Sequence, residues 1–139
     1  MMASTFSATA LAALSSGHAG VQPKPGLVVL LGDSIFDNGV YVNPGDPAVI
    51  DQLRASLPPG WGATLAAVDG SISSEIVDQF KSIPAEATHL VVSSGGNDAL
   101  MAERVMRSPA DNVGQALLTM ADVRDRFEDT YQSMLQALL

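Results

Sequence analysis

Leu27-Val28-Val29-Leu30-Leu31 is an unbroken apolar run closed on both sides by Gly26 and Gly32. It is short and partly β-branched, and it lacks the alternation of a strand with one wet face. The run therefore reads as a strand buried on both faces, the kind found in parallel sheets. Parallel neighbours need crossover connections, most often helices, and the rest of the chain supplies them.

Asn43-Pro44-Gly45-Asp46-Pro47 is a turn cluster. Asp46 reads as an N-cap with Pro47 at the first helical position. Val49, Ile50, Leu53 and Leu57 then give a short amphipathic helix stopped by Pro58-Pro59-Gly60. Trp61 to Val68 reads as a second strand that ends at Asp69-Gly70, with Trp61 packing at its start. Ser73 is placed to cap the next helix, with Glu75 in its first turn. Ile76, Val77, Phe80 and Ile83 form that helix's apolar face, and Pro84 ends it. Leu90-Val91-Val92 opens a third buried strand, which runs into Ser93-Ser94-Gly95-Gly96-Asn97-Asp98. Beyond Ser108-Pro109, Val123, Phe127, Tyr131, Met134 and Leu138 make the stripe of a final helix, with Arg124, Asp125, Glu128 and Asp129 off it. Met101, Met106, Met120 and Met134 read as core filler. Strand and helix alternate three times, which predicts an α/β fold with a parallel sheet, helices on its faces and right-handed crossovers.

Composition narrows the partners. Seven Lys and Arg stand against 15 Asp and Glu, a net charge of -8. A phosphate backbone or an anionic membrane surface would repel such a chain, so nucleic acid is not an expected partner. No apolar run approaches the roughly 20 residues needed to span a bilayer. With no cysteine, disulfides, zinc knuckles and a thiol nucleophile are excluded. Residues 1–26 read as a flexible tail ending in Gln22-Pro23-Lys24-Pro25-Gly26, and 27–139 as the folded domain. No Lys or Arg precedes Lys24 and the apolar stretch before it is alanine-dominated, so the reading leans to a cytoplasmic protein over a secreted one.

In open α/β sheets ligands sit at the carboxyl ends of the strands. Three polar motifs fall there: Gly32-Asp33-Ser34-Ile35, Asp69-Gly70-Ser71 and Gly95-Gly96-Asn97-Asp98. Singly, each reads as a turn or a helix cap. Together they offer a serine nucleophile with an oxyanion hole. Ser34 lies just past a buried strand, where a helix is expected to begin. The backbone N–H groups of Ser34 and Gly70 and the side-chain amide of Asn97 are candidate donors to a developing oxyanion. Neither nucleotide-binding glycine fingerprint occurs. Asp33, Asp37, Asp69 and Asp98 fall near the same edge and suit Mg²⁺ or Ca²⁺ in type. They form no ligand run of fixed spacing, and no metal or cofactor is expected.

These blocks resemble those of the SGNH hydrolases, the GDSL-type esterases and lipases. Gly32-Asp33-Ser34-Ile35 is similar to the block that carries the nucleophile, and Gly70 falls where the oxyanion glycine belongs. Gly95-Gly96-Asn97-Asp98 is similar to the G-x-N-D block that carries the oxyanion asparagine. The resemblance runs from about Leu27 to the end of the sequence. It implies a three-layer α/β/α sandwich of flavodoxin-like type and hydrolysis of a small ester. Ser34, Gly70 and Asn97 would be the catalytic set, with Asp33, Gly96 and Asp98 as substrate-binding neighbours.

The family's Asp-x-x-His block, which carries the general base, has no counterpart here. Of two histidines, His18 lies in the tail, and His89 is expected at the amino end of the third strand, far from Asn97. The sequence also stops at Leu138-Leu139 within an apolar stripe. The chain therefore reads as a fold of this type lacking its C-terminal part, with an exposed third-strand edge through which two copies would pair. Weak hydrolysis is expected, or a module that does not turn over.

Overall fold

A computed structural model describes residues 24–139; His18 and the stretch read as a tail before residue 24 lie outside the described residues. The elements, in chain order, are β1 (Leu27–Leu31), α1 (Val49–Ser56), β2 (Gly62–Leu65), α2 (Ile76–Gln79) continued by a 3₁₀ turn (Phe80–Ser82), β3 (His89–Val92), α3 (Gly96–Met106) and α4 (Val113–Leu138). All three strands run parallel in the order β2-β1-β3. The fold is mixed α/β.

Period-two alternation divides β1 between two cores. Val28 and Leu30 point to one face, where they meet Ile50 of α1 and Ala63 of β2, flanked by Phe36, Leu53 and Trp61. Val29 and Leu31 point to the other, where they meet Ile76 of α2 and Met134 of α4, flanked by Phe80, Tyr131 and Leu138. The continuous apolar run at Leu27–Leu31 is thus what a strand with two covered faces requires. The helices fall on opposite faces for a topological reason. The chain leaves β1 for β2 on one side, then returns past β1 to β3 on the other, and crossovers of one hand then place α1 and α2 on opposite faces.

Several predicted elements differ from those observed. α1 starts at Val49 with Ala48 before it, not at Pro47 after an Asp46 cap. Asp46 is engaged instead by the side-chain amide of Asn43 at 2.8 Å, and the Val49 N–H is received by Asn38 Oδ1 at 2.9 Å. β2 is half the predicted length. Ser73 does not cap α2, whose N-cap is Glu75. Ser34 lies in a single turn, closed by Asp37 N–H to Asp33 O at 3.0 Å, and no helix grows from it. β3 begins at His89 and is not buried: Leu90 and Val91 are 40% and 41% exposed. Among the described residues β3 pairs with β1 alone and is a sheet edge, as is β2. Of the four methionines read as core filler only Met134 is buried, while Met101, Met106 and Met120 are exposed. The final helix carries the expected stripe but starts ten residues before Val123, at Val113. Gly26, read as the last residue of the tail, belongs to the fold: its carbonyl accepts the Gly62 N–H at 2.9 Å. No helix among the described residues is long and apolar enough to cross a membrane.

Candidate active site at the carboxyl edge of the sheet

The order β2-β1-β3 makes a topological switch between β1 and β3. The connection from β1 crosses to β2, while the chain leaving β3 enters α3, and the carboxyl ends of such strands are the usual ligand position in open α/β sheets. The Gly32–Ile35 turn leaves β1 at that edge, the Gly95–Asp98 block leaves β3, and the Asp69–Ser71 loop follows β2 alongside.

Side-chain hydrogen bonds tie the three loops into one unit. Asp33 is 4% exposed, and its Oδ1 accepts the Ile35 N–H at 3.0 Å and the Ser93 hydroxyl at 3.2 Å. The first contact shapes the turn around Ser34; the second fastens it to the exit of β3. Asp37 Oδ2 accepts the Asp69 N–H at 2.9 Å, linking the first loop to the second. Asn97 donates its side-chain amide to Ser71 O at 2.9 Å, linking the third to the second. Asp98 Oδ2 accepts both the N–H of Ser73, at 3.0 Å, and its hydroxyl, at 2.9 Å. The Ser73 oxygen lies 2.5 Å from that of Ser94. Because Ser73 gives its proton to Asp98, Ser94 is the donor in that contact.

Close backbone approach fixes the blocks after β1 and β3. Gly32 has φ +132°, and a Cβ there would lie 2.1 Å from the Ser93 carbonyl oxygen, so no other residue fits between β1 and the exit of β3. Gly95 has φ +108° at the start of α3, with the Phe127 ring 3.0 Å from where a Cβ would stand. Gly70 has φ +80° and lies in open space.

The six expected site residues fall into two groups. Gly70 and Asn97 line one cleft of about 490 Å³, together with Ile72, Leu100 and Met101. Ser34 is not among its lining residues; it is half-buried on the turn beside Asp33. Asp33 Oδ2 in turn lies 3.8 Å from where a Cβ on Gly96 would stand, so the nucleophile turn and the start of α3 are neighbours. Among the described residues neither the Ser34 hydroxyl nor the Ser34 and Gly70 N–H groups make a hydrogen bond within the protein. The Asn97 amide has a second hydrogen beyond the one given to Ser71. Asp33 and Asp98, read as substrate-binding, spend their carboxylates inside the protein. Asn97 and Asp98 lie in the first turn of α3, not in a loop.

Two further groups frame the site. Tyr41 donates its hydroxyl to Asp69 Oδ2 at 2.6 Å. That bond, with slight desolvation and the negative charges of Asp69 and Asp37, holds the phenol above its ordinary 10.0. Gln79, 6% exposed, reaches into the Gly32 turn with both ends of its amide. Sequence reasoning passed over Gln79 although a signal was present: it stands three residues from Ile76 and four from Ile83 in an otherwise apolar stripe. A polar group on such a face must find a buried partner.

The carboxylates do not converge. Asp33, Asp37, Asp69 and Asp98 are each committed to a different donor, and no group of three metal-ligating side chains forms among the described residues. His89 stacks on Trp61 with ring centroids 5.0 Å apart, at the amino end of β3. Its Nδ1 lies 2.8 Å from the Thr88 hydroxyl. The strand alone separates it from the carboxyl edge by roughly 10 Å at about 3.3 Å per residue. No protein-family model matches the chain, and no curated protein matches its sequence.

Proposed function

We propose that the chain carries the nucleophile and oxyanion half of an SGNH-type ester hydrolase, in a three-layer α/β/α fold of that family. The observation behind this reading is the bonding of three separate strand-end blocks, Gly32–Ile35, Asp69–Ser71 and Gly95–Asp98, into one unit at the carboxyl edge. Ser34 is the nucleophile toward a small ester. The Ser34 and Gly70 N–H groups and the remaining Asn97 hydrogen receive the tetrahedral oxyanion. Asp33 and Asp98 shape the loops, and Gly96 sets the start of α3 alongside Asp33.

The step forms a bond from Ser34 Oγ to the ester carbonyl carbon and expels the alcohol, and the serine proton must pass to that leaving group. His89 cannot relay it from the far end of β3, because a general base needs contact within about 3 Å. That position favours a second reading, a module that holds an acyl compound without turning it over. Pairing of two copies along the exposed β3 edge belongs to the same proposal.

Hydrolysis of p-nitrophenyl butyrate by the chain and by Ser34→Ala tests both readings. Slow turnover abolished in Ser34→Ala supports the hydrolase, and saturable binding without Ser34-dependent turnover supports the module. Equal rates and no binding would remove both.

A further inference from the structure

We propose that Gln79 is a positioning residue that holds the Ser34 turn and the Gly70 loop in fixed relation; this rests on Ser34 being the nucleophile. The Gln79 Oε1 accepts the Gly32 N–H at 2.8 Å, and its Nε2 donates to Gly32 O at 2.8 Å and to Ser71 Oγ at 3.2 Å. One buried side chain thus uses both amide hydrogens and its carbonyl, in two directions. The first pair of bonds grips the peptide groups on either side of the Gly32 α-carbon, two residues before Ser34. The third reaches the residue that follows Gly70.

The gripped residue is the one whose geometry aims the turn. Gly32 stands at the end of β1 with φ +132°, and its carbonyl also accepts the Val68 N–H at 3.0 Å as the chain leaves β2. A left-handed residue at a strand end has no ladder of its own to hold it. Gln79 supplies what a neighbouring strand would supply, and it does so from α2, whose Ile76 is fully buried beneath the same edge. Gly70 lies in open space on an exposed loop, and Ser71 is its nearest buried anchor. Without the amide, the Ser34 turn and the Gly70 loop would be joined only by the Val68 N–H on Gly32 O and, at the exposed rim, by the Asp69 N–H on Asp37. Displacements of about 1 Å in such constellations cost on the order of a hundredfold in rate.

Gln79→Leu keeps the volume and removes all three bonds, whereas Gln79→Glu keeps an acceptor for the Gly32 N–H and loses the donors. Amide exchange is followed at Gly32, Gly70 and Val29, alongside p-nitrophenyl butyrate kinetics. In Gln79→Leu, exchange at Gly32 is expected to quicken about tenfold or more while Val29, in the middle of β1, keeps its protection. The kcat is expected to fall roughly ten- to a hundredfold with KM within about twofold. Gln79→Glu should fall between Gln79→Leu and the wild type, and it carries the test if Gln79→Leu does not fold. Unchanged exchange at Gly32, or equal acceleration at Val29, overturns the proposal, as does loosened Gly32 exchange with unchanged kcat. A wild-type chain with no Ser34-dependent turnover instead removes the reading of Ser34, and Gly32 exchange alone then decides whether the clamp exists.

Discussion

The carboxyl edge of the sheet and the α3–α4 hairpin are adjacent, yet they are held by opposite means. At the edge, loops rich in Gly, Ser, Asp and Asn are immobilised by buried or half-buried hydrogen bonds: Gln79 on Gly32, Asp33 on Ser93, Asp98 on Ser73. On the hairpin, apolar side chains abound but few are covered. Leu100, Leu117 and Leu118 are 66–70% exposed, and Met101 is 63% exposed. Only the C-terminal half of α4, through Tyr131, Met134 and Leu138, reaches the core. Between these two regions, then, the polar side chains are the better anchored and the apolar ones the less covered, the reverse of the two cores around β1. Hydrophobic content measures stability only where a second surface meets it.

The largest expected effect separates the two regions directly. Ile76→Ala empties a fully buried site between β1 and α4 and should cost about 2–5 kcal/mol. Leu117→Ala, on the exposed half of α4, should change stability by less than about 0.5 kcal/mol. Urea unfolding of both variants checks the pair. A loss at Leu117 equal to that at Ile76 would show that this half of the hairpin is covered in solution, by a second copy or by another part of the chain.

A smaller effect sharpens the other side of the contrast. Asp98→Ala strands the N–H of Ser73, which is fully buried, and leaves its hydroxyl only Ser94; an orphaned buried polar group costs about 1–3 kcal/mol. Both bonds fall on one oxygen, so the amide oxygen of Asp98→Asn can still accept them and should recover most of the loss. Both variants can be followed by thermal unfolding. An Asp98→Ala protein as stable as wild type would mean that water replaces the carboxylate, and that the loops are less rigid than their bonds imply.

β1 was legible in the sequence because its environment is symmetrical: two covered faces demand an unbroken apolar run, and Leu27–Leu31 is one. The position of the three blocks at one edge followed from the alternation of strand and helix. Their knitting did not, because its partners lie far apart in sequence: Gln79 from Gly32, Asp98 from Ser73, Ser93 from Asp33. The two misplaced helix caps share this cause. Ser73 has the local pattern of a cap, but Asp98 outcompetes the helix for its hydroxyl. Val49 is capped by Asn38 from another loop, so the local signal at Asp46-Pro47 pointed two residues early. Periodicity on the hairpin identified an apolar stripe. It says nothing of what lies opposite, and so Met101, Met106 and Met120 were assigned to a core that does not reach them.

The smallest expected effect lies at the outer rim of the carboxyl edge, where the hydrogen bonds reach solvent. Tyr41 is exposed, and its hydroxyl is held by Asp69, the residue before Gly70. Its raised pKa means that the folded protein keeps the phenol proton to higher pH than the unfolded chain. Any stability from this bond is therefore fully present below the ordinary value of 10.0 and is lost as pH rises through the raised one. The contribution should be slight, since water competes for both groups. Absorbance at 295 nm, with Tyr131→Phe to leave a single tyrosine, should show Tyr41 titrating above its ordinary value. Asp69→Asn removes the carboxylate charge and should bring the titration back down. If Tyr41 titrates at its ordinary value in both proteins, the bond to Asp69 does not persist in solution. The rigid part of the edge then ends at the buried bonds of Gln79, Asp33 and Asp98, and Gly70 is held through Ser71 on one side and the Asp69 N–H on Asp37 on the other.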